Sequence, residues 1–554
     1  MKLLKFVGLC QVAVFSSARS LNSLPFDDTL VGRQHVPKLH LSRALKKENL
    51  RLDSLPQLTS VRGGAKNKEL KEKKKSKSLF PISRKELPQF TYISIMMFLF
   101  IYFYTTVRDT KDSLVVSNCG AEAIPFLKMY GVMPAAFGFI VVYSKLSQFL
   151  GKKSLFYATI FPFFAFYTLF AFVLYPNGDS IHFINGDGWL ASSSIPAIKL
   201  IQYWSYSLYF IISELWASAG IPLLFWQVAN DVTSISEARR FYPLFAITGN
   251  LAPIVSGTVM SNIVSKQLSS GLGFGSTLKK LAVIKIFVGC AIIVLYNLIY
   301  SRVENAKDSV GNVKQEGRTK DNTNPPSTQK TTLRESIVSL SKSADIKAVA
   351  MMVLAYNICV ELTEVLWKGI LRETFPNKAD YMKYMASFSR KVGIVALIMQ
   401  LSASTIIGKL GWEKASLVAP LAMTSLALLF FTAVSFSMKR SDMVPISLAL
   451  TIGTIQNIAS KVTKYSLFDP LKEMAYIPMD PEAKSKGKAA IDVLGARLGR
   501  SLAAGSQQIL VLASGNILHC APFLATLYLG TASMWMGAVK ALGKSFDDEN
   551  LDET

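Results

Sequence analysis

Two apolar stretches decide the fold of this chain: IKLIQYWSYSLYFIISELWASAGIPLLFW (198–226) and IKAVAMMVLAYNICVELTEVLW (346–367). Each is long enough to cross a bilayer as a helix. Each also contains a carboxylate, Glu214 or Glu364, at a depth where a charge costs on the order of 2.5–3.5 kcal/mol to insert. Because such a residue is kept where it faces water, a proton or a cation, the two stretches predict a membrane protein with a polar path between its helices.

The composition favours a membrane protein over a soluble one. Half of the 554 residues are hydrophobic, only 18% are charged, and the mean hydropathy is +0.31. In a soluble protein, the net charge of +24 would suggest a nucleic-acid partner. Here residues 1–88 alone hold 19 Lys and Arg against 7 Asp and Glu, and most other basic residues lie in short loops. We therefore predict a lipid bilayer, and no nucleic acid, as the surroundings of this protein.

From residue 90 onward, apolar runs of about 20 residues alternate with short polar loops, which predicts membrane-spanning helices. The twelve runs lie at about 90–107, 124–143, 154–175, 197–225, 241–264, 280–300, 346–367, 384–408, 412–437, 443–463, 489–513 and 517–540. The polar stretch 301–345 separates six runs from six and predicts a flexible linker. We expect an all-α membrane protein of about twelve helices in two six-helix halves, 89–300 and 346–540, with a major-facilitator-like architecture and an acidic tail at 541–554.

The N-terminal extension has the pattern of a targeting sequence. Residues 1–19 combine early lysines, a short apolar core and small residues, which is the layout of a signal peptide. Residues 20–88 are basic, rich in Ser and Leu, and predicted to be disordered, like a transit sequence. The combination indicates a plastid surrounded by extra membranes. The alternative is a secretory protein with a disordered cytosolic tail.

Four polar clusters interrupt the apolar runs. At the end of the first run, Arg108 and Lys111 lie three residues apart on one helix face, with Asp109 and Asp112 on a neighbouring face. The ordinary alternative is a solvated helix end at the membrane surface. So many alternating charges at one span end nevertheless favour a site.

The second and third clusters surround the two buried carboxylates. Glu214 is followed by Pro222, which can break the helix, and by Asn230 at its exit. Trp216 and Trp226 in the same stretch suit packing better than base stacking. In the other half, Glu361 and Glu364 are three residues apart, and Lys368 lies at i+4 from Glu364, so an intrahelical pair at the interface is the alternative to a site role.

The fourth cluster lies in and before the eleventh run. Arg497, Arg500 and Gln507 share one helix face, which therefore cannot face lipid. Lys461, at the end of the tenth run, and Lys488, just before the eleventh run, add further positive charge. Since guanidinium groups bind phosphate oxygens in pairs, this excess of cations predicts a cavity for a polyphosphate anion.

Seven stretches resemble the ATP/ADP translocase family of plastids and obligate intracellular bacteria. They are RDTKDSLVV (108–116), CGAEAIPFLK (119–128), LLFWQVANDV (223–232), RRFYPLF (239–245), LTEVLWK (362–368), SKVTKYSLFDPLKEMAYIP (460–478) and KGKAAIDVLGARLGRS (486–501). The paired targeting signals are similar to those of algal members with complex plastids. The resemblance implies exchange of ATP for ADP across the inner envelope membrane of a plastid, in some members with phosphate or protons.

The resemblance also implies which residues carry transport. Four charged positions do so in the family, and here they fall on Lys111, Glu214, Glu364 and Arg500. At the last position many members have Lys, so a guanidinium fork here replaces a point donor. Two alternatives within the family stay open: a proton-coupled nucleotide symporter, and an exchanger of a wider range of nucleoside and deoxynucleoside triphosphates.

The residues themselves predict transport by alternating access and no catalysed reaction. Arg108, Lys111, Arg497 and Arg500 would hold phosphates, and Glu214 and Glu364 would balance charge when the cavity is empty. The cysteines and histidines do not cluster, and KSKGKAAID (484–492) is not a phosphate-binding loop of the Walker type. We therefore expect no metal, no cofactor and no enzyme activity. A membrane-embedded enzyme or scaffold is the alternative of a different class, and a channel is the alternative to a rocking carrier.

Overall fold

The computed structural model describes residues 82–84, 86–184, 193, 195–311, 344–439, 444–476, 491 and 495–552. Within these ranges the long regular elements are all helical, as predicted. In chain order they are α1 (Leu87–Cys119), α2 (Ala123–Phe149), α3 (Lys152–Leu174), α4 (Trp204–Val232), α5 (Ile235–Ser269), α6 (Phe274–Gly311), α7 (Ala344–Thr374), α8 (Lys378–Lys439), α9 (Ile446–Thr463), α10 (Ala496–Ser514) and α11 (Ala521–Asp552).

Nine helices of the described part of the chain are long and apolar enough to cross a membrane. One of them, α8, is two helices joined at Gly411, whose φ of 73° interrupts the helix in a conformation that glycine adopts without strain. The predicted eighth and ninth runs meet at this point. Helices α9 and α10 are not among the nine, but they lie where the tenth and eleventh runs are predicted. The all-α, multi-pass fold is confirmed, and the count of twelve stays a prediction.

Several predicted boundaries fall outside the described residues. These are the signal peptide at 1–19, nearly all of the extension at 20–88 and the central part of the linker at 301–345. At the linker's start, α6 continues as a helix to Gly311, beyond the predicted end of the sixth run. At the C-terminus, α11 continues through most of the predicted acidic tail. The described residues from Arg84 onward belong to one compact unit.

The two parts of the chain meet most extensively where α5 packs against α8. A Cβ atom on Gly257 would collide with the backbone of Ala386 and Arg390, and one on Gly393 would lie 2.7 Å from Ile254 Cγ1. Small residues at such an interface allow two membrane helices to approach closely. We call residues 87–311 the N-terminal part and residues 344–552 the C-terminal part. Besides this close contact of α5 with α8, α1 of the first part also lies beside α7 of the second.

Aromatic packing fixes the helix that carries Glu214. Trp216 is buried on α4, and its ring lies 5.7 Å from Phe100, 4.6 Å from Phe103 and 5.2 Å from Phe163, between ring centroids. Such aromatic contacts add to the energy of burial and favour specific ring geometries. The cluster therefore holds α1, α3 and α4 together and leaves the opposite face of α4 for polar residues.

Candidate functional site

Lys111 on α1 lies between two carboxylates of the N-terminal part. Its Nζ is 3.1 Å from Glu214 Oε1 on α4 and 2.9 Å from Asp112 Oδ1. The same Nζ lies 3.7 Å from the centroid of the Phe210 ring, which provides a cation–π contact. Lys111 and Glu214, two of the positions that the resemblance implies for transport, thus form an ion pair.

The ion pairs continue into the C-terminal part. Lys368 Nζ lies 2.9 Å from Asp112 Oδ2 and 2.9 Å from Glu364 Oε1, and Lys461 Nζ on α9 lies 3.4 Å from Glu364 Oε2. We call the resulting series the charge chain, which in order of contact consists of Glu214, Lys111, Asp112, Lys368, Glu364 and Lys461. Its three lysines balance its three carboxylates, and the Asp112–Lys368 contact joins the two parts.

Burial changes along the charge chain. Asp112 and Lys368, at its centre, have side chains that are 1% and 2% exposed. Glu214, Glu364 and Lys461, nearer its ends, each have side chains that are 17% exposed. Glu364 and Lys368 form the intrahelical pair that their spacing allows, and Lys368 also contacts Asp112 on another helix. The centre of the charge chain is thus shielded from solvent, whereas its ends are partly exposed.

The site is completed by two further contacts between the parts. Arg108 donates to Asp109 at 2.9 Å and to Ser389 of α8 at 2.6 Å, and Ser389 in turn donates to Asp109. Lys128 of α2 donates to both carboxylate oxygens of Glu361 on α7, at 2.6 and 2.7 Å. Each of these cations already has a carboxylate partner.

Arg497 and Arg500 on α10 differ from these cations because their hydrogen bonds go to neutral acceptors. Arg497 donates to Ser218 Oγ at 3.3 Å, and Arg500 donates to Asn357 Oδ1 at 3.2 Å. Among the described residues, neither guanidinium forms an ion pair within 4.0 Å. A guanidinium has five N–H donors, so most of theirs remain available to a ligand.

Arg500 lies on the side of α10 that faces α7 and the charge chain. Its side chain is exposed, yet it interacts electrostatically with Glu214 and Glu364. The exposed Leu498 of the same helix lies about 200° away around the helix axis. Gln507, which the sequence places on the same face as Arg500, is buried and donates to the backbone carbonyl of Glu361 at 3.1 Å.

Asn230 lies apart from the charge chain. It is exposed near the end of α4, where it accepts a hydrogen bond of 2.6 Å from Tyr242. Pro222 does not end α4, because the helix continues through a π-helical segment, Gly220–Phe225. Lys488 lies outside the described residues.

Sequence alone does not reveal the partners of three charged residues of the site. Glu361 and Lys368 belong to the third polar cluster, but their partners on other helices are not visible in the sequence. Lys128 lies near the start of the second run and reads as an interfacial lysine. A lysine within a predicted span is the available signal.

The sequence matches the family model described as TLC ATP/ADP transporter over residues 65–546. The chain belongs to this ATP/ADP transporter family. It is 37% identical over 484 residues to ADP,ATP carrier protein 1 of Chlamydia pneumoniae, covering 84% of this chain and 93% of that protein. It is 36% identical to the Plastidic ATP/ADP-transporter of Solanum tuberosum, covering 89% of this chain and 78% of that protein.

Solved structures place this ATP/ADP transporter family member among major-facilitator-like folds. A bacterial homologue of the iron transporter ferroportin matches with a TM-score of 0.54 at 13% identity, covering 81% of this chain and 98% of that chain. A D-xylose-proton symporter matches with a TM-score of 0.51 at 13% identity, covering 82% of this chain and 96% of that chain. The predicted fold class and the predicted family are confirmed, and with them the prediction of a nucleotide transporter.

Proposed function

We propose that this chain exchanges ATP for ADP by alternating access, with the charge chain and the two arginines of α10 as its nucleotide site. The main support for this proposal is the continuous series of ion pairs from Glu214 in the N-terminal part to Lys461 in the C-terminal part. A ligand that competes for one end of this series affects contacts in both parts. The relatives that are named ADP,ATP carriers support the choice of nucleotide.

Phosphate binding would begin at the two arginines. Arg497 and Arg500 have neutral partners, so a phosphate does not have to displace a carboxylate from them. Lys461 is the next cation, since its contact with Glu364 is long at 3.4 Å and its side chain is partly exposed. Charge-assisted hydrogen bonds from both residue types would hold the phosphates, and Glu364 would keep its pairing with Lys368.

The same charges explain why transport would be an exchange. The charge chain is internally neutral, but the two arginines leave a net positive site when no nucleotide is bound. Enclosing unpaired charges in a low-dielectric space is unfavourable. The empty carrier would therefore reorient slowly, and the loaded carrier quickly. The nucleotide crosses chemically unchanged, because the proposal assigns no enzymatic step to these residues.

The proposed location is the inner envelope membrane of a plastid. The basic extension with its signal-like and transit-like segments supports targeting to a plastid. Relatives named chloroplastic in Arabidopsis thaliana and plastidic in Solanum tuberosum support the same organelle. Fluorescent tagging of the full chain, followed by fractionation of the envelope membranes, tests the assignment to the inner one.

Exchange is tested with the purified full chain in liposomes. We expect labelled ATP to enter liposomes preloaded with ADP, to be recovered unchanged, and to enter empty liposomes much more slowly. Lys461→Met should reduce exchange, whereas Lys280→Met, which removes an exposed lysine of α6, should not. Uptake that needs no internal nucleotide and stops with a proton uncoupler would instead establish symport. Competition by other nucleoside and deoxynucleoside triphosphates measures the substrate range.

A further inference from the structure

Lys285, in the middle of the apolar part of α6, is a buried lysine outside the charge chain. Only 3% of the residue is exposed, and among the described residues it forms no ion pair. Phe287 lies about 200° away around the helix and is 71% exposed, so Lys285 points into the protein and not towards lipid. A lysine at this depth in a spanning helix is a candidate functional group by default.

Two tyrosines surround the amine. Lys285 Nζ lies 3.1 Å from Tyr209 Oη on α4 and 4.9 Å from the centroid of the Tyr167 ring on α3. Both tyrosines are buried. An ammonium group has three N–H donors and normally needs an anionic partner when it is buried, whereas a neutral amine is satisfied by one hydrogen bond with a tyrosine hydroxyl. The surroundings accommodate both forms of this side chain.

Other titratable groups on the neighbouring helices do not neutralise Lys285. On α1, Asp109 and Asp112 are paired with Arg108, Lys111 and Lys368. On α4, Glu214 is paired with Lys111, and Asp231 near its end is paired with Lys152. The remaining charged residues of the adjoining helices lie towards helix ends: Lys152 and Lys153 on α3, Glu237, Arg239, Arg240 and Lys266 on α5, and Lys279, Lys280, Arg302, Glu304, Lys307 and Asp308 on α6. The tyrosines are thus the titratable groups that face the amine.

Lys285 is one layer of side chains behind the nucleotide site. Tyr209 precedes Phe210, whose ring contacts Lys111. The hydroxyl group of Thr110, which precedes Lys111 on α1, lies near that of Tyr209. Two hydroxyl groups therefore lie between Lys285 and the helix that carries Lys111. A positive charge on Lys285 would increase the positive potential at the site, because the intervening medium has a low dielectric constant.

We propose that Lys285 is a proton-binding site whose occupancy is coupled to nucleotide binding at the charge chain. The proton comes from water, binds the lone pair of the amine and returns to water when it leaves. A bound nucleotide anion favours the ammonium form, and by reciprocity the ammonium form favours the nucleotide. This inference rests on the proposed nucleotide site, and it adds a second ligand to that site.

The test is the KM for external ADP in exchange, measured between pH 6 and pH 8.5 in liposomes. In the wild type, KM should fall on acidification by on the order of fivefold, a value within the usual range of coupling between two sites. Lys285→Met should lose the part of this dependence that comes from the protein. Lys285→Arg, whose guanidinium stays charged, should keep a low KM at every pH. Lys280→Met, on the same helix, should behave like the wild type.

The phosphate groups of the nucleotide also titrate in this pH range. Their contribution to the pH dependence of KM is the same for all variants, so the differences between the pH profiles of the variants report on Lys285. Parallel profiles of KM for the wild type and Lys285→Met would overturn the inference. If Lys285→Met does not fold, a Lys285→Arg profile that parallels the wild type overturns it equally. Failure of the wild type to exchange nucleotides at any pH would refute the proposed function instead, and the two failures are thereby distinguished.

Discussion

The charge chain and the two arginines of α10 show two different uses of charge inside one membrane protein. In the charge chain every lysine contacts a carboxylate, and the central pair is almost fully buried. The arginines contact only neutral side chains among the described residues, and Arg500 is exposed. A paired, buried charge holds helices in register, whereas an unpaired, accessible charge is available to a ligand. Stability and substrate affinity should therefore respond to different residues.

The largest effect is expected at the centre of the charge chain. Asp112→Asn removes the carboxylate that contacts both Lys111 and Lys368, so two buried ammonium groups lose a partner. Breaking a buried ion pair in this way typically destabilises a protein by about 3–5 kcal/mol. We expect a marked fall in melting temperature in detergent and in the yield of folded protein.

A double-mutant cycle separates pairing from other effects of this substitution. Asp112→Asn combined with Lys368→Met should destabilise the protein by less than the sum of the two single changes, because residues in contact are coupled. Losses that simply add would show that the two side chains do not stabilise each other across the interface.

The second effect should appear in affinity and not in stability. Arg500→Gln removes a guanidinium whose hydrogen bond goes to Asn357, so the folded protein loses no ion pair. Losing charge-assisted hydrogen bonds to phosphate, worth about 1.5–3 kcal/mol, should raise the KM for ADP roughly tenfold to hundredfold. Melting temperature and KM are measured on the same preparation. A lower melting temperature with an unchanged KM for ADP would show that Arg500 stabilises the fold and does not bind the nucleotide.

A smaller effect is expected at a buried ionisable group outside the membrane spans. His182, between α3 and α4, contacts Ser205 Oγ at 2.7 Å. Burial, assisted by the charge of Lys378, lowers the pKa of His182, and Asp179 opposes this. The unfolded chain then binds the proton more readily than the folded one. Stability should be lost as pH falls below about 6.5, the ordinary pKa of histidine.

Thermal unfolding at pH 7.5 and at pH 5.5 checks this sign. The wild type should lose more melting temperature on acidification than His182→Asn does. Equal losses in both proteins would show that this histidine does not exclude a proton in the folded state.

The smallest effect is expected at Asn230. Its sequence neighbours predict a place in the site, but the structure places it at the exposed end of α4, in contact with Tyr242. We expect Asn230→Ala to leave the KM for ADP within about twofold of the wild type, because surface substitutions have small effects. A change as large as that of Arg500→Gln would extend the nucleotide site to this end of α4.

Much of this architecture could be predicted because membrane helices leave a clear apolar signal. Glu214, Glu364 and Lys111 stand out in the sequence as charges within or beside such helices. The break at Gly411 was visible only as the short gap between the predicted eighth and ninth runs.

Contacts between helices were harder to predict. Helical spacing shows that Lys368 can reach Glu364, but it does not reveal that Asp112 approaches from another helix. The same limit applies to Lys128 with Glu361 and to the neutral partners of Arg497 and Arg500. The hydropathy pattern gives no signal for Lys285, because a single lysine hardly changes the mean hydropathy of a long apolar run. Periodicity shows which residues share one face of a helix. Only the packing of the helices shows which residues of other helices they contact.

A structure of the full chain with bound ATP, determined in a lipid nanodisc, would show directly where the phosphates bind. We expect phosphate oxygens about 2.7–2.9 Å from the side-chain nitrogens of Arg500 and Lys461. We also expect the Asp112–Lys368 contact to persist next to the occupied site. Phosphates bound away from both Arg500 and Lys461, with no nucleotide beside the charge chain, would contradict the proposed site.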